Sequence, residues 1–117
     1  MAHQNKLRKF GRERKGRKAL MRSLARSLVM HEKISTTDAK ARELRAYVEK
    51  LVTRARIDTV ANRRLVMSRV PDAAMVKKLF TAIGPRYKDR TGGYLRIVKR
   101  AARGSNDARE LAYIAFV

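Results

Sequence analysis

The sequence contains no cysteine, and this absence removes a disulfide framework, a thiolate zinc site, an iron–sulfur cluster and cysteine nucleophilic catalysis at once. Histidine occurs only twice, at His3 and His31, which leaves no multi-ligand metal site to assemble. Acids are scarce and scattered: ten Asp and Glu in 117 residues, with no pair spaced for acid–base or two-metal chemistry. No run approaches the roughly 18 apolar residues of a membrane-spanning helix, and residues 1–26 have no hydrophobic signal-peptide core. A soluble intracellular chain is the expectation, without a membrane partner, a cofactor or a small-molecule substrate. What is abundant is positive charge. Thirty Lys and Arg leave a net charge of +20, the signature of a protein that faces a polyanion. With 44% hydrophobic residues the chain is too apolar to be disordered throughout. Its length suits one domain, able to bury roughly 65% of its unfolded surface.

The charge is aimed rather than spread. Residues 1–26 carry a net of +9 and residues 86–103 a net of +6, whereas residues 27–53 are nearly neutral. Residues 1–16 hold only Leu7 and Phe10 as large hydrophobes after Met1, too little to offset the ordering entropy, and read as an extended basic arm. Residues 17–117 read as a single domain. From Arg17 to His31, Leu20, Leu24 and Leu28, flanked by Met21, Ala25 and Val29, recur at helical spacing. Lys18, Arg22 and Arg26 form a second row, roughly 200° around the helix from the leucines, so one face packs while the other presents cations to phosphate.

Lys33 to Ser35 is a short link with room for a small strand around Ile34. Thr36, Thr37 and Asp38 supply the hydroxyl and acid of a helix start, and Leu44, Val48, Leu51, Val52 and Ala55 form the stripe of a second, structural helix. Asp58 or Thr59 caps a third helix, through about Arg69, that carries Arg63 and Arg64 as an exposed pair. Pro71 and Asp72 restart the chain into a fourth helix with Val76, Leu79, Phe80 and Ile83, and Gly84-Pro85 is expected to stop it. Arg86 to Gly93 reads as a basic loop whose Gly92 and Gly93 allow unusual backbone angles. Tyr94 to Ala102 and Leu111 to Val117 read as an antiparallel strand pair joined by a turn over Arg103 to Arg109. Tyr87, between Arg86 and Lys88, is the better candidate to stack on a base; Tyr94 is the weaker one, and Tyr47, Phe80, Tyr113 and Phe116 are assigned to the core.

Enzyme-like motifs fail on their own chemistry. Ser27 and His31 lie four apart beside Glu32, but His31 falls where the helix should end and serves its dipole there. Gly11 to Lys18 has the two glycines of a phosphate loop, yet Arg17-Lys18 stands where Lys and a hydroxyl residue are needed and no strand precedes it. Neither zinc-finger spacing, a leucine heptad nor an RNA-recognition aromatic motif is present, and Pro71 weakens a helix-turn-helix reading of the third and fourth helices. An arm, a compact body and a second basic segment suit an irregular folded RNA; an architectural DNA-binding protein is the alternative.

Several stretches resemble the family of bacterial large-subunit ribosomal protein seventeen: Arg17-Lys18-Ala19-Leu20 through Ser27-Leu28, Thr36-Thr37 with Ala39-Lys40-Ala41-Arg42-Glu43-Leu44-Arg45, Asn62-Arg63-Arg64-Leu65, Gly84-Pro85-Arg86-Tyr87-Lys88-Asp89-Arg90 with Gly92-Gly93-Tyr94-Leu95-Arg96-Ile97, and Ala112-Tyr113-Ile114. The resemblance covers nearly the whole chain from Arg17 and departs at Arg14-Lys15-Gly16, where the family commonly has Ser-Ser-His, and at Arg109-Glu110, where it is more apolar. It implies an α+β fold, about four helices on a small mixed or antiparallel sheet formed largely by the C-terminal strands. It further implies binding to large-subunit ribosomal RNA near the polypeptide exit side, beside neighbouring ribosomal proteins. From the resemblance and the charge pattern together, the RNA contacts expected are Lys6, Arg8, Lys9, Arg12, Arg14, Lys15 and Arg17 at the N-terminal end, Lys18, Arg22 and Arg26 on the first helix, Arg63 and Arg64, Arg86, Tyr87, Lys88 and Arg90, and Arg96 on the strand.

Overall fold

Three side-chain caps set where the helices begin. In the computed structural model, which describes residues 14–103 and 110–117, Thr37 accepts from the Lys40 amide at the start of the helix Asp38–Ala55, here α2. Thr59 accepts from the Asn62 amide ahead of Val60–Arg69, α3. Asp72 accepts from the Met75 amide ahead of Ala73–Lys78, α4. Each oxygen satisfies an amide that the first helical turn leaves unpaired, a contribution of about 1 kcal/mol per cap. The first helix, α1, spans Arg14–His31 and therefore takes in Arg14, Lys15 and Gly16, which the sequence reading placed in the extended arm. The polypeptide leaves α1 through Glu32 at φ 64°, a left-handed turn that returns its amide to the Leu28 carbonyl at 2.6 Å.

Between α1 and α2 the chain forms a strand, β1, Lys33–Thr37. With β2, Leu95–Arg103, and β3, Glu110–Phe116, it makes a three-stranded antiparallel sheet in the order β1-β3-β2. The small strand allowed for around Ile34 thus joins the expected C-terminal pair, and β3 becomes the central strand. Ile34 and Ile97 both lie opposite Ile114, and Leu95 lies opposite Phe116. These residues face the helices with Ala112, and Ile114 and Ala112 are completely buried. The expected turn through Gly104, Ser105, Asn106 and Asp107 falls outside the described residues.

The core is continuous from Ala25, Leu28 and Val29 of α1 through Leu44, Val48, Leu51, Val52 and Ala55 of α2 to Val66 of α3 and Met75 and Val76 of α4. The helix after Asp72 does not stop at Gly84-Pro85. It widens through a π-helical segment, Leu79–Ile83, and closes with a last turn, Gly84–Arg86, here α5. The wider turn moves the Gly84 amide onto the Leu79 carbonyl, so the ring of Pro85 enters at the start of a new turn, where proline fits. Gly84 has another purpose: a Cβ there would sit 2.1 Å from the Ala55 carbonyl oxygen at the end of α2. Of the two later glycines, Gly93 uses positive φ, at 66°, and Gly92 does not.

Candidate nucleic-acid interface

Twelve of the seventeen expected contact residues are cations within the described residues, and they differ in whether they have an internal partner. Lys6, Arg8, Lys9 and Arg12 lie outside the described residues, and Tyr87 is not a cation. On α1 the buried side is Ala25, Leu28 and Val29, with Met21 half-buried against it. The core side is therefore the leucine row, with Leu28 buried and Leu24 packed against the core, broadened toward its flanking row 21, 25 and 29. At 100° per residue, Arg22 and Arg26 then flank the core instead of opposing it. Both reach neighbouring elements: the Arg22 Nε donates to the Arg69 carbonyl at 2.9 Å, and the Arg26 Nε pairs with the Asp72 carboxylate that caps α4. Two of three cations expected to face phosphate thus also hold α1 to the α3–α4 junction.

Arg14, Lys15 and Lys18 are exposed on the first turns of α1. Arg14 and Lys18 edge a groove of about 510 Å³ between α1 and α2, lined also by Arg17, Met21, Glu43, Tyr47, Lys50 and Arg69. The Arg17 Nε is buried without a hydrogen-bond acceptor among the described residues. A guanidinium so placed is a donor looking for an anion or a water. Burial of the Tyr47 ring raises its phenol above the usual tyrosine range, and its hydroxyl donates to the Arg69 carbonyl at 3.3 Å.

The expected exposed pair on α3 divides. Arg63 grips Asp58 through two bonds, 2.6 and 2.8 Å, and its guanidinium lies 5.1 Å from the Phe80 ring centroid, whereas Arg64 is exposed. The hydrogen bonds from Arg63 hold the Asp58 carboxyl below its ordinary range. Arg63 is a structural clasp, and Arg64 is the outward cation.

Arg86 and Tyr87 belong to the fold, contrary to the basic-loop reading. Arg86 donates to both carboxylate oxygens of Glu32, at 2.8 and 3.3 Å, and Lys78 reaches the same group at 3.2 Å. These bonds, that of Arg86 foremost, lower the Glu32 carboxyl below the usual glutamate range. Tyr87 is 3% exposed. Its hydroxyl donates to the Val117 carbonyl at 2.6 Å and its ring lies 5.3 Å from that of Tyr94. It cannot stack on a base without leaving the core, and Tyr94, wholly buried, is equally withheld. Lys88, Arg90 and Arg96 are exposed.

The structure also brings forward residues that the sequence reading passed over. Lys33, Arg100 and Tyr113 meet on the side of the sheet away from the helices, with Tyr113 there instead of in the core to which it was assigned. The usable signal was the alternation in β2, where Arg96 and Arg100 share a side opposite Leu95 and Ile97. Among the described residues no group of three or more His, Asp or Glu could hold a metal ion, and no helix is long and apolar enough to cross a membrane.

Comparison with known proteins agrees with the resemblance read from the sequence. The model of the family described as ribosomal protein L17 matches residues 20–117. The large ribosomal subunit protein bL17 of Sphingopyxis alaskensis is 52% identical over 117 residues, which covers 100% of this chain and 84% of that relative. The large ribosomal subunit protein bL17 of a Hydrogenobaculum species is 48% identical over the same 117 residues, covering 100% and 99%.

Proposed function

Because the chain belongs to the ribosomal protein L17 family, we propose that it is a structural component of the large ribosomal subunit that binds and stabilises folded ribosomal RNA. The observation that carries this reading is that seven of the expected contacts are exposed and have no ion-pair partner among the described residues: Arg14, Lys15 and Lys18 on α1, Arg64, Lys88 and Arg90, and Arg96 on β2. They act by replacing the diffuse ion atmosphere of the RNA, so that helices repelling one another are held together. The role requires no catalytic group. Residues 1–16 supply further cations, with Lys6, Arg8, Lys9 and Arg12 as RNA contacts, and residues 17–117 act as the RNA-binding body. Arg22, Arg26, Arg63 and Arg86 hold the body together and keep charge near the surface; Tyr87 supports Arg86 from within.

Neighbouring ribosomal proteins near the polypeptide exit side complete the assignment. Ile57, in the turn before α3, and Val60, its first residue, are 62% and 65% exposed and offer apolar surface for such a neighbour. Density-gradient fractionation of a cell lysate tests the role directly. Co-migration with large subunits in near-stoichiometric amount is expected, and a chain found only in the unassembled fractions contradicts it. Binding to folded large-subunit RNA should exceed binding to duplex DNA at matched salt. If six to ten phosphates are engaged, affinity falls by about 10³- to 10⁵-fold between roughly 50 and 200 mM salt.

A further inference from the structure

Alternate residues of an antiparallel strand face opposite sides, and in this sheet only one side is used by the core. Ile34, Ile97, Phe116 and their neighbours pack inward. The other side carries Lys33 and Ser35 of β1, Tyr113 of β3, and Arg96, Val98 and Arg100 of β2; none of these belongs to the core and none is acidic. Tyr113 stands at the centre, opposite Ser35 on one flank and Val98 on the other. The Lys33 ammonium lies 4.5 Å and the Arg100 guanidinium 5.3 Å from its ring centroid. Arg100 is steadied by a 3.0 Å bond to the Ser35 hydroxyl, and Val98 is 52% exposed.

We propose that this sheet face is a stacking platform for unpaired nucleotides of RNA. The inference rests on the proposed role in RNA binding and assigns it a second mode besides the helix cations. A guanidinium lying over a tyrosine ring makes a cationic stacking surface that rewards the flat π-faces of bases, which a duplex keeps hidden within its stack. Lys33 and Arg96 are placed to take the phosphates on either side. An acidic protein segment would satisfy the cations alone and leave the ring and Val98 without a planar partner.

Two measurements on the full chain test the platform. In the first, a fluorescent single-stranded RNA dodecamer and an RNA duplex of equal length are titrated at one salt concentration. Tyr113→Ala should weaken the single strand by about 5- to 100-fold while the duplex changes by less than about twofold, and Tyr113→Phe should restore single-strand binding. Equal losses on both RNAs, or none on either, overturn the platform. The second needs no substitution: the unaltered chain is irradiated with thiouridine-substituted single-stranded RNA. Cross-links in the peptides that contain Tyr113 or Arg100 support the proposal. Cross-links confined to α1 overturn it while leaving the RNA-binding role intact, whereas failure to bind either RNA removes both.

Discussion

Among the acids of the described residues, Glu32 concentrates the most of the tertiary structure. Its backbone closes α1 in a left-handed turn, its carbonyl accepts from the Phe116 amide of β3, and its carboxylate takes both Arg86 and Lys78. Two effects are separable because one belongs to the backbone and the other to the charge. Replacing Glu32 by Gln keeps the backbone and removes the charge; screening of a side chain that is 36% exposed limits the loss to about 1 kcal/mol at neutral pH, measured by urea unfolding. The pH response has a definite sign. With the folded carboxyl lowered, its contribution is complete above the unfolded value near 4.3 and disappears as pH falls through the lower folded value. The stability difference between the wild type and Glu32→Gln should therefore close on acidification below about pH 4. The backbone effect runs the other way: Glu32→Gly loses the same ion pairs yet relieves φ 64°, so it should exceed Glu32→Ala in stability by about 1 kcal/mol. Gly84 presents the opposite case, since its constraint is space and its φ is helical. Gly84→Ala would drive a methyl group into the backbone of Ala55, and unfolding should show a loss of about 3 kcal/mol with the fold retained only if α2 and α5 separate.

At the scale of elements, what could be read from the sequence was what local chemistry decides. The stripe Leu44, Val48, Leu51, Val52 and Ala55 is buried as its spacing requires, and Thr37, Thr59 and Asp72 cap the helices they precede. What could not be read depends on partners distant in the chain. Tyr87 looks like a loop aromatic between two cations until the end of β3, thirty residues away, closes over it. Arg86 looks free until Glu32 is brought to it, and Gly84-Pro85 looks like a stop until the π-helical segment makes room. Tyr113 sits in a strand so uniformly apolar that alternation gives no sign of which face is covered. α1 joins both kinds of information, because its cations were legible and their division of labour was not. That division predicts contrasting variants. Lys18→Gln should leave the melting temperature unchanged, weaken RNA uniformly across sequences, and lower the salt slope of binding by about one. Arg26→Gln should lower the melting temperature, because Asp72 loses its partner at the cap of α4, while the salt slope falls by less than that of Lys18→Gln.

The whole molecule has a net charge of +20, and its self-repulsion opposes folding even as it favours association. The local exceptions show how the fold tolerates that load. Glu32 lies between Arg86 and Lys78, Asp72 meets Arg26, and Asp58 meets Arg63, so several of the few acids are placed where helices join. The remaining cations repel across the surface until an anionic polymer or dissolved salt screens them. Salt should consequently act in opposite directions on two properties of the same chain. Raising sodium chloride from about 20 to 300 mM shortens the Debye length from roughly 20 to 6 Å, so the free protein should melt several degrees higher. Over the same interval RNA affinity should fall by orders of magnitude, because each counterion that a phosphate contact releases gains less entropy on entering an already concentrated solution. Differential scanning calorimetry of the free chain, paired with an RNA titration in identical buffers, measures both responses. A free-protein melting temperature that falls with salt would mean that the internal ion pairs outweigh the repulsion among surface cations. In that case the surplus charge costs the isolated fold little, and its placement on exposed helix and sheet faces would have to be explained by the bound state alone.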